Sequence, residues 1–308
     1  MLTVPTRLTT LGHEVDTSPD AFGELVASND LLDDPPALRQ RMDEQGYIFL
    51  RGYLDRDHVM AAREEVCRRL VKMGAIDDSR PLMDAIARPG AEAFFKPNDI
   101  TVGNEPLMTL LYSGRMIAFY ELLLGGSVRH FDYTWFRSQG PDAKGTSPHR
   151  DVVYMGRGSQ RLHTTWTPIG DVGLDEGPLM IMPRSHRIDK LRENYGKIDV
   201  DAVCSNRTDA DGKPKLQSPT FGALSRNPVR LRRNLGLPWL TTEFKAGDML
   251  AFTIHTIHCS LDNRSQRIRL SSDSRYQPAD EPADERWISI DGKPPVTHGE
   301  NAHREMIC

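Results

Sequence analysis

Apolar positions along this chain follow two periods. Up to Gly125 the clearest recurrence is helical. Pro35-Pro36 opens a short helix over Ala37–Gln45, and Gly46 ends it as a C-cap would. Tyr47–Leu54 reads as a strand and turn. Asp57 can cap a helix over His58–Met73, in which Val59, Ala62, Val66, Leu70 and Val71 lie near helical spacing. Glu105–Leu124 reads as a second apolar helix, ended by Gly125-Gly126. Residues 1–34 are mixed and polar, with weak helical character over Ala21–Ala27, and read as an extension packed on the domain.

Beyond Gly126 the period drops to two. Val128–Gln139 alternates large aromatic with polar residues, and Trp135 and Arg137 share one face. Val152–Met155, Gln160–Pro168 and Leu179–Met182 read as short strands. Gly247–His258 reads as a turn feeding one buried strand that ends in histidine. A further strand carries Arg267, Arg269, Ser271, Asp273 and Arg275 on one parity, and Trp287–Ile290 in the polar 279–308 tail reads as a strand that docks back. Helices gathered in front of short strands predict a mainly β core with flanking N-terminal helices, in one domain spanning 1–308.

Two stretches lack either period. Residues 76–104 are irregular, and their Phe94-Phe95-Lys96 can line a pocket entrance or form a satellite hydrophobic cluster. Residues 187–238 are charged and long for a connection, locally basic at Arg226, Arg230, Arg232 and Arg233. They read as a lid or insertion, against the plainer reading of a solvated loop.

Composition narrows the classes. Hydrophobic residues make up 38% and the formal net charge is -4, which argues against nucleic acid as the main partner. No apolar run reaches the length of a membrane span, and Met1–Arg7 lacks the apolar core of a signal peptide. The four cysteines form no CxxC pair, arguing against structural zinc and a disulfide framework. A reducing, cytoplasmic setting is the expectation, and it suits a ferrous site.

The candidate chemistry begins at His149-Arg150-Asp151. In an extended chain residues i and i+2 share a face, so His149 and Asp151 can reach one metal with Arg150 turned away. A second histidine would complete a two-histidine, one-carboxylate triad, which leaves positions open on Fe(II) for a co-substrate and O2. His255 and His258 compete for this place. Three apart on a strand they face opposite sides. His163 on a strand and His186 in a turn are read as structural. Arg267, Arg269 and Arg275 are rivals for pairing with the far carboxylate of a 2-oxo acid.

One order of motifs carries a family resemblance. It runs His149-x-Asp151, Trp166-Thr167-Pro168, Glu176-Gly177-Pro178-Leu179, Pro183-Arg184-Ser185-His186, Gly247-Asp248, His258-x-Ser260-x-x-Asn263-x-Ser265, Arg269 and Arg275-Tyr276. From about Gly46 to Pro278 the chain resembles the phytanoyl-CoA dioxygenase family of Fe(II)/2-oxoglutarate oxygenases. The resemblance implies a double-stranded β-helix, or jelly roll, and selects His258, leaving His255 a buried or supporting histidine. It implies that His149, Asp151 and His258 hold Fe(II). Arg269 and Ser260 would anchor the C5 carboxylate of 2-oxoglutarate, with Trp166 near it. Arg275 with Tyr276 looks like a structural end of strand. The implied reaction consumes 2-oxoglutarate and O2, releases succinate and CO2, and by default hydroxylates a C–H bond. The carboxylate at Asp151 argues against a halogenase, whose halide needs that position vacant.

For the substrate, Phe95, Trp135, Arg137, Tyr154 and Asp273 are the candidate pocket residues. Only the 226–233 stretch offers the clustered basic surface a CoA diphosphate would want, so a small or medium metabolite is expected. Two other readings stand beside this one: a binding or sensing protein that keeps the fold without turnover, and a zinc hydrolase built on the same three ligands. Oligomeric state is not legible in the sequence.

Overall fold

The computed structural model describes residues 7–91, 95–201 and 222–297. In chain order the strands are β1 (Thr9–Thr10), β2 (His13–Glu14), β3 (Phe22–Glu24), β4 (Tyr47–Leu50), β5 (Val128–His130), β6 (Trp135–Gln139), β7 (His163–Pro168), β8 (Leu179–Ile181), β9 (Trp239–Thr241), β10 (Met249–Thr253), β11 (His258–Ser260) and β12 (Arg269–Pro278). The α-helices are α1 (Pro35–Gln45), α2 (Arg56–Lys72), α3 (Pro97–Thr101), α4 (Glu105–Tyr112), α5 (Arg115–Leu124), α6 (Val152–Met155), α7 (Asp189–Glu193) and α8 (Pro228–Leu235). The fold is mainly β with helices in front, as the two periods predict.

Two sheets face each other. The larger runs β4-β10-β7-β12-β5, with β6 also paired to β12; the smaller runs β11-β8-β9-β3. This is a jelly-roll arrangement whose sheets do not close. Strict alternation sorts the larger sheet's side chains. Ile48, Leu50, Met249, Ala251, Leu270 and Tyr276 face the helices and join Leu38, Val59, Val66, Leu107 and Phe119 in the main core. Tyr47, Phe49, Trp166, Leu250 and Phe252 face the other way and meet Leu179 and Ile181 of the smaller sheet. The functional side chains sit beside this inner layer.

Several local expectations are corrected. Asp55, not Asp57, caps α2, accepting from the backbone of Asp57 and His58, because a cap must stand outside the first turn to reach its free N–H groups. The apolar stretch 105–124 is two helices, broken at Ser113-Gly114. Its apolar side chains, such as Leu107, Leu111, Phe119 and Tyr120, lie in the core. Ala21–Ala27 is not helical. It contains β3, which pairs in parallel with β9, so this part of the extension completes a sheet. Trp287 docks through a 3-10 turn (Glu285–Trp287) rather than a strand, and is fully buried. The C-cap at Gly46 holds, with φ 80°, and a side chain there would overlap the His186 ring. Much of the expected 187–238 lid, over 202–221, lies outside the described residues, as do 1–6, Phe94 and 298–308.

Candidate active site

The site is built from β11, β12, β7 and one loop. On β11 the inward side chains are His258 and Ser260, while Cys259 points into the outer cluster with Met180 and Trp239. The loop after β6 brings His149 alongside, and reciprocal backbone hydrogen bonds of 3.1 Å join His149 to His258. Gly145 makes this approach possible, since a side chain there would overlap the Ser260 carbonyl. The extended geometry expected over 149–155 stops at once: Val152–Met155 is the helical turn α6, entered at Asp151. Asp151 still meets His149, because the turn folds its carboxylate back over the bridge.

The three side chains converge. Asp151 Oδ1 lies 3.7 Å from His149 Nε2 and 3.6 Å from His258 Nε2, and one ligand atom from each residue falls within 4.8 Å of the others. Donors each about 2.1 Å from one ion are about 3 to 4 Å apart, so the set fits a metal. Hydrogen bonding supports the same fit. His149 Nδ1 donates to the Ser147 carbonyl at 2.8 Å and His258 Nδ1 to the Thr256 carbonyl at 3.1 Å. A carbonyl can only accept, so each ring carries its proton on Nδ1 and keeps a lone pair on Nε2, facing Asp151.

Asp151 is held by its other oxygen. Oδ2 accepts from Thr164 Oγ1 at 2.5 Å and lies 3.3 Å from Arg275 Nη2. Burial opposes ionisation of this carboxyl, but the Arg275 guanidinium and the Thr164 hydrogen bond favour it, and its pKa lies well below the usual range. Burial, then His258, lowers the His149 pKa to about 3, and burial lowers that of His258. The site is therefore one carboxylate and two neutral imidazoles, the protonation states a divalent metal needs.

Beside the triad lies a narrow cavity of about 20 Å³ whose walls include His149, His258, Ser260, Arg269 and Trp166. Arg269 is buried. Its Nη2 donates to Gln139 Oε1 at 2.7 Å and its Nη1 to Ser271, while Nε has no partner among the described residues. Burial lowers its pKa only to about 10, so it stays a cation. Its guanidinium stands 5.9 Å from the Trp166 ring, which also packs on Phe244 at 4.7 Å. Trp166 is thus both core aromatic and cavity wall. Asn263 supports Arg269 indirectly: its side chain donates to the Gln139 and Arg267 carbonyls, clamping the turn before β12.

On the other side of the metal ligands a cavity of about 470 Å³ opens, lined by Trp135, Arg137, Tyr154, Met155, Arg226, Arg275 and Trp287 among others. Arg137 is paired with Asp273 at 2.5 Å. Burial pushes the Tyr154 hydroxyl up to about 12, so it is protonated.

Of the predicted site residues, the structure gathers His149, Asp151, His258, Ser260, Arg269, Trp166, Trp135, Arg137, Tyr154 and Asp273 around one centre. Phe95 lines a neighbouring cavity of about 600 Å³ whose walls also include Trp135, Arg137, Thr146 and Arg269, and it packs against the helical core. Arg267 lies before β12, half exposed beside Glu176. His255 is absent from the triad for a reason the strand reading missed. Residues 254–257 form a turn that carries the chain from β10 in one sheet to β11 in the other. Sequence reading has Arg275 as a rival for the 2-oxo-acid carboxylate or a structural end of strand and misses its contact with Asp151; Thr164 it misses altogether. Their signal was parity, Arg275 with Arg269 on β12 and Thr164 with Trp166 on β7.

A jelly roll with a two-histidine, one-carboxylate site and a buried arginine beside it defines a non-haem iron oxygenase of the 2-oxo-acid-dependent class. Comparison with known proteins narrows this. Residues 42–271 match the family model for phytanoyl-CoA dioxygenase (PhyH), and the chain belongs to that family, as an Fe(II)/2-oxoglutarate-dependent dioxygenase. It is 26% identical to 1-deoxypentalenic acid 11-beta-hydroxylase of Streptomyces exfoliatus over 283 residues, covering 84% of this chain and 87% of the relative. The same-named protein of Streptomyces arenae is 26% identical over 277 residues, with coverage of 84% and 87%. Among solved structures, EctD from S. alaskensis with 2-oxoglutarate and 5-hydroxyectoine shares the fold at TM-score 0.55 and 17% identity, covering 95% of this chain and 89% of that one. The epimerase SnoN from nogalamycin biosynthesis, bound to Fe3+, alpha ketoglutarate and nogalamycin RO, does so at TM-score 0.53 and 20% identity, with coverage of 83% and 87%.

Proposed function

We propose that this protein hydroxylates a C–H bond of a small or medium metabolite, with His149, Asp151 and His258 as the iron ligands and Arg269 and Ser260 as the anchor of 2-oxoglutarate. One observation carries the assignment. The three ligand atoms lie within 4.8 Å of one another, and two of the three ligands, His149 and His258, line the same narrow cavity as Arg269 and Ser260.

Bound iron, with 2-oxoglutarate and O2, supplies an oxidant able to break an aliphatic C–H bond. The chain's own residues do the rest. The triad would supply three ligands to the metal and leave room for the co-substrate. Thr164 and Arg275 engage Asp151 Oδ2, leaving Oδ1 toward the metal. Arg269 can turn its guanidinium from Gln139 and Ser271 to the far carboxylate, a charge-assisted pairing in a dry pocket. The Ser260 hydroxyl accepts from the Thr146 backbone at 2.9 Å and keeps its own proton to donate to the same carboxylate. Trp166 and Phe252 exclude water from that end.

The metabolite would lie in the 470 Å³ cavity. Trp135, Trp287 and Met155 supply an apolar wall, Tyr154 a hydroxyl donor, and Arg137 and Arg226 the attraction for a polar or anionic group. The named substrate of the curated relatives is a carboxylic acid, which suits this wall. We read the chain as one oxygenase domain acting in a reducing, cytoplasmic compartment.

The test is anaerobic. Fe(II) and then 2-oxoglutarate are added to metal-free protein, and the visible metal-to-ligand charge-transfer band of a chelated 2-oxo acid is sought. A band is expected. Its absence, with tight zinc binding instead, would overturn the assignment. Succinate release across a panel of small acids would then identify the substrate.

A further inference from the structure

A second cavity, of about 310 Å³, shares no lining residue with the substrate cavity. Three buried histidines contribute to its walls: His163 at the start of β7, His186 in the turn after β8, and His255 between β10 and β11. Around them stand the exposed arginines Arg39, Arg161, Arg187 and Arg192.

These histidines are not a second metal site. Among the described residues only the triad of the active site has its ligand atoms close enough together. Two of the rings are already tied to backbone, His163 Nδ1 to the Arg161 carbonyl and His186 Nε2 to the Asp43 carbonyl, both as donors. His255 differs. It is 8% exposed, and neither ring nitrogen has a partner among the described residues. A neutral imidazole offers one donor and one acceptor, and leaving both buried and unmet is costly.

The charge around it is mainly positive: four arginines and one carboxylate, Asp43, line the cavity. Arg187 is paired with Asp43 and Arg161 with Glu281, but Arg192 is in no ion pair among the described residues. Behind the cavity wall lies Arg150, from the metal loop. It is fully buried, and among the described residues its side chain donates to the Ser185 carbonyl and leaves Nε and Nη1 without partners. No carboxylate pairs with it among the described residues. A buried cation without a counter-ion is unfavourable.

We propose that this cavity binds a phosphate-class anion, held by Arg192 and its neighbouring arginines and by His255. The anion would offset the charge of Arg150. Hydrogen phosphate can donate as well as accept, so it can meet whichever nitrogen of His255 faces the cavity, accepting from an N–H or donating to a bare nitrogen, whereas sulfate can only accept. The site stands independently of the oxygenase assignment. Since Arg150 lies between two of the metal ligands, an anion here would also brace the loop that carries them.

The test is titration of the full-length metal-free protein with inorganic phosphate, followed by calorimetry and 31P line broadening, in wild type, His255→Leu and Arg192→Ala. Saturable one-to-one binding is expected. It should be weakened at least tenfold in each variant, with sulfate weaker than phosphate and the Fe(II)/2-oxoglutarate charge-transfer band retained. Arg192→Ala changes an exposed side chain, so it decides the matter even if His255→Leu folds poorly. Absence of saturable binding would overturn the proposal. So would phosphate binding that ignores both variants, or that is lost in Arg269→Ala and displaced by 2-oxoglutarate, which would place phosphate in the co-substrate pocket.

Discussion

The molecule holds two groups of histidines, and they were made for different things. His149 and His258 come with a carboxylate. Their Nε2 lone pairs lie 3.7 and 3.6 Å from Asp151 Oδ1, and burial keeps both rings neutral. His163, His186 and His255 come mainly with arginines instead: Arg161 beside His163, Arg187 and its partner Asp43 beside His186, and Arg192 and Arg150 beside His255. Burial makes imidazole neutral in both places. The accompanying charge then decides the ligand: a shared carboxylate calls for a cation, and surplus guanidinium calls for an anion.

The sharpest way to break this contrast is to exchange the loss of one histidine for the other. His258→Ala should abolish the charge-transfer band of the iron–2-oxoglutarate complex, while His255→Ala leaves it in place. Equal losses would remove the distinction. Next in size, Arg269→Ala should raise the 2-oxoglutarate concentration needed for the band by about 10- to 100-fold, since a charge-assisted hydrogen bond contributes about 1.5–3 kcal/mol. An unchanged requirement would assign the far carboxylate to another residue.

A smaller effect is expected at the carboxylate's support. Thr164→Val removes the hydroxyl on Asp151 Oδ2 and should weaken Fe(II) or Co(II) binding about 10-fold, the low end for partners of metal ligands. Metal titration beside a thermal melt would separate this from misfolding. The last contrast is the pH response of the second group. Burial lowers the pKa of His163 and of His255 to about 4, whereas the unfolded chain protonates them near 6.5. The unfolded state therefore binds more protons between those values. Stability is full above pH 6.5 and falls toward pH 4, by up to about 1.4 kcal/mol per pH unit per group. Denaturant melts of metal-free protein in phosphate-free buffer should show this slope, and His255→Leu should flatten it.

Much of the site was legible in the chain because strand parity is a local property. One face of β12 carries Arg269, Ser271, Asp273 and Arg275, and the opposite face carries Leu270 and Tyr276 into the helical core. The sorting needs no knowledge of the partner strands. The same reasoning failed over 151–155 and 254–257, where backbone turns replace strand. Val152–Met155 has strand-like residues, yet α6 forms there because its apolar side chains pack in a local cluster with Phe131, Leu162 and Trp287.

By itself the sequence determined the ligand types, the spacing of His149 and Asp151, the β12 face, and the order of motifs that marks the family. These depend on residue chemistry and on a period of two. Only the tertiary structure decided the rest. The turn at 254–257 moves the chain from one sheet to the other, so His258 meets Asp151 and His255 falls into a different cavity. Thr164 and Arg275 reach Asp151 because β7 and β12 pair side by side, a contact that no local pattern encodes. Arg150, one peptide bond from both His149 and Asp151, turns away from them to the Ser185 carbonyl, near His186 and His255. Long-range pairing set these outcomes, because the energy of a buried charge depends on every group that surrounds it and not on its neighbours in the chain.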